Sequence, residues 1–422
     1  MLLNPVVLQS SASVLFYFFK QLIAAMNILK GVRVLDFGRY IAGPFCGALL
    51  GDLGADVIRI EKVSGSEDRY TTPVNPGHPD GEVGSTFLHL NRNKRGMTLN
   101  PKKPGADAIK RKLIESADVV VANMPQTGLK DIGIDYAALC QIKPNIILAS
   151  STAFGATGPF GDRVGFDGVA QAMSGNLHMT GPADQPMRNF HPYVDFTTGA
   201  LNTIAILAAI LHRKQTGEGQ EVQGALLASA LTVAGGTLIE QAITGINRVA
   251  SGNRGQTAAP SDTYQTVDGW ILVSAIGQPL FERWAHLMGE DHWLQDPRFA
   301  SDASRGEHAA IISQRMQAWT LSRTTAEVVS ELDQARIPCG EVLSPQEALE
   351  HPQVNAMNYL TDIEYPGIEG SYPLPRLPLE FSKIELEKPQ RPPTLSEHTN
   401  DILAELGFSG QDIAEFREQR IV

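Results

Sequence analysis

Cysteine is nearly absent from this 422-residue chain, with Cys46, Cys140 and Cys339 the only three. They form no CxxC pair and leave an odd number. That excludes a zinc-finger set and a disulfide scaffold, and makes a reducing, cytoplasmic location the expectation. Basic charge is also scarce, with 35 Lys and Arg against 46 Asp and Glu and a net charge of −11. A nucleic-acid partner, which wants a basic surface, is not expected. Apolar runs long enough to span a bilayer are missing too. Residues 14–26 are too few and are broken by Lys20, and no basic residue precedes Lys20 to make the head of a signal peptide. The run 200–211 is short and carries Asn202 and Thr203, so it reads as a core helix. No GxGxxG occurs around Gly38, Gly43 and Gly47, and Pro44 follows the turn. A hydride-transfer dinucleotide is therefore unsupported, although Glu61 stands where a ribose-binding acid would.

What is present alternates strand and helix signals. β-rich runs at Val32-Arg33-Val34-Leu35-Asp36-Phe37, Val57-Ile58-Arg59-Ile60-Glu61, Val119-Val120-Val121 and Ile146-Ile147-Leu148-Ala149 are separated by helical patterns. Such βαβ units imply a parallel sheet covered on both faces, with ligands at the carboxyl ends of the strands. Asp268-Gly269 reads as a hairpin turn opening a second, mixed α+β region, and residues 222–239 read as a long buried helix. Residues 365–393 are rich in proline and read as an extended connector.

Asp195 is the residue most in need of explanation. It lies between Val194 and Phe196, just before the apolar run. Burying a carboxylate there is costly, so it caps, pairs or reacts. An N-cap ahead of Thr197-Thr198-Gly199 is one reading, a reactive carboxylate the other.

Several strings resemble, in order, the family III CoA-transferases, the formyl-CoA and carnitine CoA-transferase group related to α-methylacyl-CoA racemase. They are Leu29-Lys30-Gly31-Val32-Arg33-Val34-Leu35-Asp36-Phe37, Ala42-Gly43-Pro44, Leu53-Gly54-Ala55-Asp56-Val57-Ile58-Arg59-Ile60-Glu61, Phe154-Gly155-Ala156-Thr157-Gly158-Pro159, Asp195 and Ile337-Pro338-Cys339-Gly340. The resemblance covers nearly everything after Met26. It implies a Rossmann-like α/β large domain (28–225, completed by 385–422), a linker helix and Gly loop (226–260), a smaller α+β domain (261–345) and an extended linker (346–384). Residues 1–27 are left as an N-terminal extension. It also implies an interlocked, ring-like homodimer with no membrane partner, no metal and no bound cofactor, CoA being carried as a substrate moiety.

On the same resemblance Asp195 is the nucleophile, passing through an aspartyl–acyl anhydride and an aspartyl–CoA thioester. Backbone N–H donors near it and around the Gly252–Gly255 loop would stabilise each oxyanion. Asp167, Gly252, Asn253, Arg254, Gly255 and Gln256 match supporting positions, with a capping role the rival for Asp167. Ile41, Ala42, Lys62, Asn93, Lys94, Arg95, Asn123 and Met124 match segments lining the CoA cleft, although surface charge explains any single cation equally well. Arg188, His191 and Arg254 are candidates to hold a second carboxylate of a C4–C5 dicarboxylic acid such as succinate or mesaconate. There are two departures. Pro125 and Asp131 stand where relatives carry arginine, and Phe166 stands where the racemase branch carries a histidine base. The expected reaction is CoA transfer, between two acids or within one dicarboxylic acid. A racemase and a non-catalytic CoA-binding subunit are the alternatives.

Overall fold

The computed structural model describes residues 28–78 and 81–422. The expected extension, 1–27, and its apolar run lie outside the described residues. The chain divides into two compact units. The first comprises the described residues up to Ser174 together with His191–Val233 and Asn358–Val422, and the second comprises Gly175–Phe190 and Ala234–Met357.

In the first unit, six strands form one sheet: β1 (Arg33–Asp36), β2 (Asp56–Glu61), β3 (Lys94–Thr98), β4 (Val119–Ala122), β5 (Ile147–Thr152) and β6 (Glu221–Ala225). Their order is β3-β2-β1-β4-β5-β6 and every pairing is parallel. Side chains alternate across the sheet, as a strand requires. Leu35, Ile58, Val120 and Leu148 enter one apolar layer, and Val34, Val57, Val119 and Ile147 enter the other. The helix Ala106–Ser116 and the C-terminal residues Ile402, Leu403, Ile421 and Val422 cover the first layer. The helices Ala42–Asp52 and Tyr193–Thr216 cover the second. Those two helices lie so close that a Cβ on Gly199 would meet the Ala42 carbonyl at 2.8 Å. Strand order reverses between β1 and β4, and the crevice at such a reversal is where sheets of this kind hold ligands.

The second unit has its own core around a three-stranded antiparallel sheet, β7 (Ser261–Gln265), β8 (Trp270–Ser274) and β9 (Cys339–Glu341). Trp284, Phe281, Phe299, Met316 and Leu332 pack against it from the flanking helices. The Asp268-Gly269 turn joins β7 to β8 as expected, with the Thr266 N–H donating to the Gly269 carbonyl.

Four expectations need correction. The expected linker, 346–384, is not an extended connector. It carries the helices Pro345–Glu350 and Pro352–Ala356, then an antiparallel hairpin of β10 (Leu360–Glu364) and β11 (Ser371–Pro375). Segment Gly175–Phe190, placed with the large domain, belongs to the second unit. The core helix runs Tyr193–Thr216, well beyond the run 200–211. By length and composition alone it, like the helix Leu226–Thr244, is long and apolar enough to cross a membrane. Its buried polar groups are paired, however: Asn202 donates to Ser151, and Thr198 to Ser229. Finally, the stretch expected as a buried helix begins with β6 and continues as the helix Leu226–Thr244. That helix exposes Leu231, Val233, Leu238, Ile239 and Ile243.

Candidate active site

The carboxyl ends of β1, β4 and β5 open onto a cavity of about 270 Å³ in the first unit, with Asp195 in its wall. Tyr40, Ala42, Asn123, Met124, Ser151, Thr152, Arg163 and Phe166 also line it. Asp195 is not an N-cap. It is the third residue of the helix Tyr193–Thr216, whose N-cap is Pro192. The carboxylate that caps this helix comes from Asp167, at the start of the helix Asp167–Met173. Its Oδ2 accepts the Val194 N–H at 2.8 Å and the Asp195 N–H at 3.1 Å, and its Oδ1 accepts from Gln171 Nε2. Asp167 is 6% exposed and Asp195 half-buried. Burial first, and the Asp167 charge second, push the Asp195 carboxyl up to about 7.

This capping corrects the expected oxyanion donors. The Tyr193 and Phe196 N–H groups go to the carbonyls of His191 and Pro192, and those of Val194 and Asp195 go to Asp167. The first turn of this helix has no donor left to offer.

The neighbouring loop is held under strain. Tyr40 has φ 60°, a left-handed conformation that a bulky residue adopts only when its surroundings enforce it. Its N–H donates to Asp68, both of whose carboxylate oxygens accept from Arg59 Nη2, at 3.0 and 2.8 Å. Arg69 and Arg59 hold Glu61 in the same buried network and bring its carboxyl down to about 2 despite its burial. Glu61 also lines the larger cavity described below.

Asn123 and Arg39 latch the β1 and β4 loops together: the Arg39 N–H donates to Asn123 Oδ1 at 2.6 Å, and Asn123 Nδ2 donates back to the Arg39 carbonyl at 2.7 Å. Ala42 and Met124 line the cavity, and Ile41 is the N-cap of the next helix. Asn93, Lys94 and Arg95 line neither this cavity nor the next. Buried Lys94 spends its three donors on Asp36, the Pro44 carbonyl and Asn91, and burial pushes its ammonium down to about 8. Arg95 pairs with Asp56 and Glu405, and Asn93 bonds to Asp52 and to the Gln390 N–H. These contacts tie distant parts of the first unit together.

Beside the first cavity lies a larger one of about 910 Å³, lined by Lys62 and by its ion-pair partner Glu67. Lys102, Lys103, Arg417 and Arg420, none of them anticipated, also line it. Asp131 is there too, tied to Lys102 at 3.2 Å. Met124 and Arg39 line both cavities.

His191 is exposed at the surface of the first unit and does not line the Asp195 cavity, and exposed Arg188 belongs to the second unit. The loop of Gly252, Asn253, Arg254, Gly255 and Gln256 is also part of the second unit. There the Gly252 N–H donates to the Gly181 carbonyl and the Gly255 N–H to the Ser261 carbonyl.

The family model for CoA-transferase family III matches residues 29–399. The chain belongs to this family. It is 33% identical over 383 residues to the succinate–glutarate CoA-transferase of Agrobacterium fabrum, covering 90% of this chain and 95% of that one. It is 30% identical to the succinyl-CoA–D-citramalate CoA-transferase of Chloroflexus aurantiacus, with 93% and 98% covered. Among solved structures it resembles a CAIB/BAIF family protein from Brucella suis at 31% identity and TM-score 0.78, with 89% and 98% covered. Sequence and fold agree on the family.

Proposed function

We propose that this family III chain moves CoA from an acyl-CoA thioester to a carboxylic acid, with dicarboxylic acids of four or five carbons as substrates. The observation that carries the reading is Asp195 itself. It is a half-buried carboxylate at a helix start, raised to about 7 and opening into a small cavity at the switch point of the sheet. The relatives' substrates, succinate, glutarate and citramalate, support the choice of acid class.

Ionised Asp195 attacks the donor carbonyl, the C–S bond breaks, and CoA thiolate leaves behind an aspartyl–acyl anhydride. The thiolate then attacks the aspartyl carbonyl, expelling the donor acid and leaving Asp195 as its CoA thioester. The acceptor carboxylate displaces the thiolate to form a second anhydride. Attack of the thiolate on the acceptor carbonyl then makes the product and frees Asp195. Partial burial favours this sequence by keeping water from the anhydrides. The cations Lys62, Lys103, Arg417 and Arg420 around the larger cavity suit the phosphates of CoA. A racemase would need a second base beside Asp195, and Phe166 occupies that wall of the cavity.

The test is an acceptor screen with succinyl-CoA. CoA should appear on glutarate and related dicarboxylic acids, and hydroxylamine added during turnover should modify Asp195. A chain that binds CoA but forms no adduct with any acid would be a non-catalytic subunit. Exchange of the substrate α-proton in deuterated water without an acceptor would mark a racemase.

The apolar face of the helix Leu226–Thr244 supports the homodimer as a further part of this reading. Ile239 and Ile243, 62% and 79% exposed, stand one turn apart on this helix and so share a face. Sedimentation equilibrium should give twice the chain mass, and a monomer would refute this.

A further inference from the structure

A dicarboxylate held for reaction at one end carries a second charge at the other, and a desolvated carboxylate needs a cation. Among the described residues, the cavity that Asp195 opens into is lined by two cations, Arg39 and Arg163. Arg39 is held to the backbone through one nitrogen, Nη1, which faces the carbonyls of Phe37, Gly38 and Ile60. Arg163 has no ion pair or side-chain hydrogen bond among the described residues. Its guanidinium lies over two rings, 4.9 Å from the centre of Phe160 and 5.5 Å from that of Phe154. Those rings meet edge to face at 5.5 Å, and the Arg163 N–H is tied to the Phe160 carbonyl at 2.9 Å. Stacked in this way, the exposed guanidinium keeps its charge and its edge donors for an anion. Among the described residues, Asp195 is the one carboxylate in the lining, and in this reading it is the reacting group. The cavity, about 270 Å³, is sized for a short acyl chain rather than a whole CoA.

We propose that Arg163 is the specificity-determining residue that holds the far carboxylate of a dicarboxylic substrate while the near one reacts at Asp195. The proposal rests on the CoA-transfer reading for its chemistry, but the contact itself can be measured without turnover.

The variants are Arg163→Gln, which removes the charge, and Arg163→Lys, which keeps the charge without the planar fork. Equilibrium binding of glutarate and of butyrate, each in the presence of CoA, is compared with KM for glutarate in the succinyl-CoA assay. Wild type should bind glutarate more tightly than butyrate. Arg163→Gln should weaken glutarate about tenfold or more and leave butyrate unchanged, with Arg163→Lys in between. Equal loss for glutarate, butyrate and free CoA would overturn the proposal and assign the guanidinium to the CoA phosphates. No change in any of the three would overturn it as well and leave Arg163 a solvated side chain. A wild-type protein that transfers no CoA yet loses glutarate binding with Arg163→Gln would refute the reaction and keep the anchor.

Discussion

Asp195→Asn should abolish CoA transfer, lowering kcat by about 10⁴-fold or more, because the amide cannot form the anhydride. CoA binding should stay within about twofold of wild type, since the cations proposed for its phosphates line the other cavity, which Asp195 does not. The same substitution should stabilise the protein by an amount that grows as pH rises from about 4 and is complete above about 7. In the folded chain the Asp195 carboxyl is raised to about 7, by burial and then by Asp167, while an unfolded aspartate titrates near its usual value of ~3.9. Between those values the folded state binds the extra proton. Stability therefore falls as pH rises from about 4 through about 7, and above that the whole cost of the buried charge is present. Allowing for its partial exposure, that cost is on the order of 2 kcal/mol. Asparagine removes it. Thermal melts at pH 5 and pH 8 check this: the gain should be about 2 degrees at pH 8 and smaller at pH 5. A variant less stable than wild type at pH 8 would mean that the carboxylate is a structural group, and the catalytic assignment would lose its physical basis.

The parts of this protein that could be read in the sequence are those set by local periodicity. The runs at Val34-Leu35, Val57-Ile58, Val119-Val120 and Ile147-Leu148 became parallel strands with alternating faces, because apolar residues on both sides leave a strand no other way to be buried. Asp195 stood out because a carboxylate among bulky apolar neighbours has few affordable roles. What failed depends on partners distant in the chain. Asn93, Lys94 and Arg95 look like a basic motif for phosphates, but Arg95 finds Glu405, 310 positions away, and Lys94 finds Asp36 in the core. Proline hid the β10–β11 hairpin, since Pro373 and Pro375 are tolerated in this small two-stranded sheet, whereas a central strand would refuse them. The exposed face of the helix Leu226–Thr244 could not be foreseen either, because composition records apolarity and not what covers it. Arg163 was missed for a simpler reason. It follows the β5 end, where a ligand was expected, but nothing local shows that Phe154 and Phe160 form a shelf beneath it.

Asp167→Asn separates capping from charge, and the expected outcome is a displaced pH profile with the fold intact. An asparagine carbonyl can still accept the Val194 and Asp195 N–H groups, so the helix keeps its cap, while the negative charge beside Asp195 disappears. Burial alone then sets the Asp195 carboxyl. The acidic limb of kcat/KM, expected near pH 7 in wild type, should move to lower pH. The variant should consequently outperform wild type at pH 6 relative to each protein's own plateau. Its plateau at pH 8 should be lower, because a less basic carboxylate is a weaker nucleophile. Asp167→Ala is the control for the cap: it strands two buried N–H donors, should cost about 1–3 kcal/mol, and lowers activity through stability at every pH. A limb that stays in place in Asp167→Asn while Asp167→Ala is destabilised would reduce Asp167 to a cap. A limb that moves makes it the residue that sets the pH at which Asp195 becomes a nucleophile.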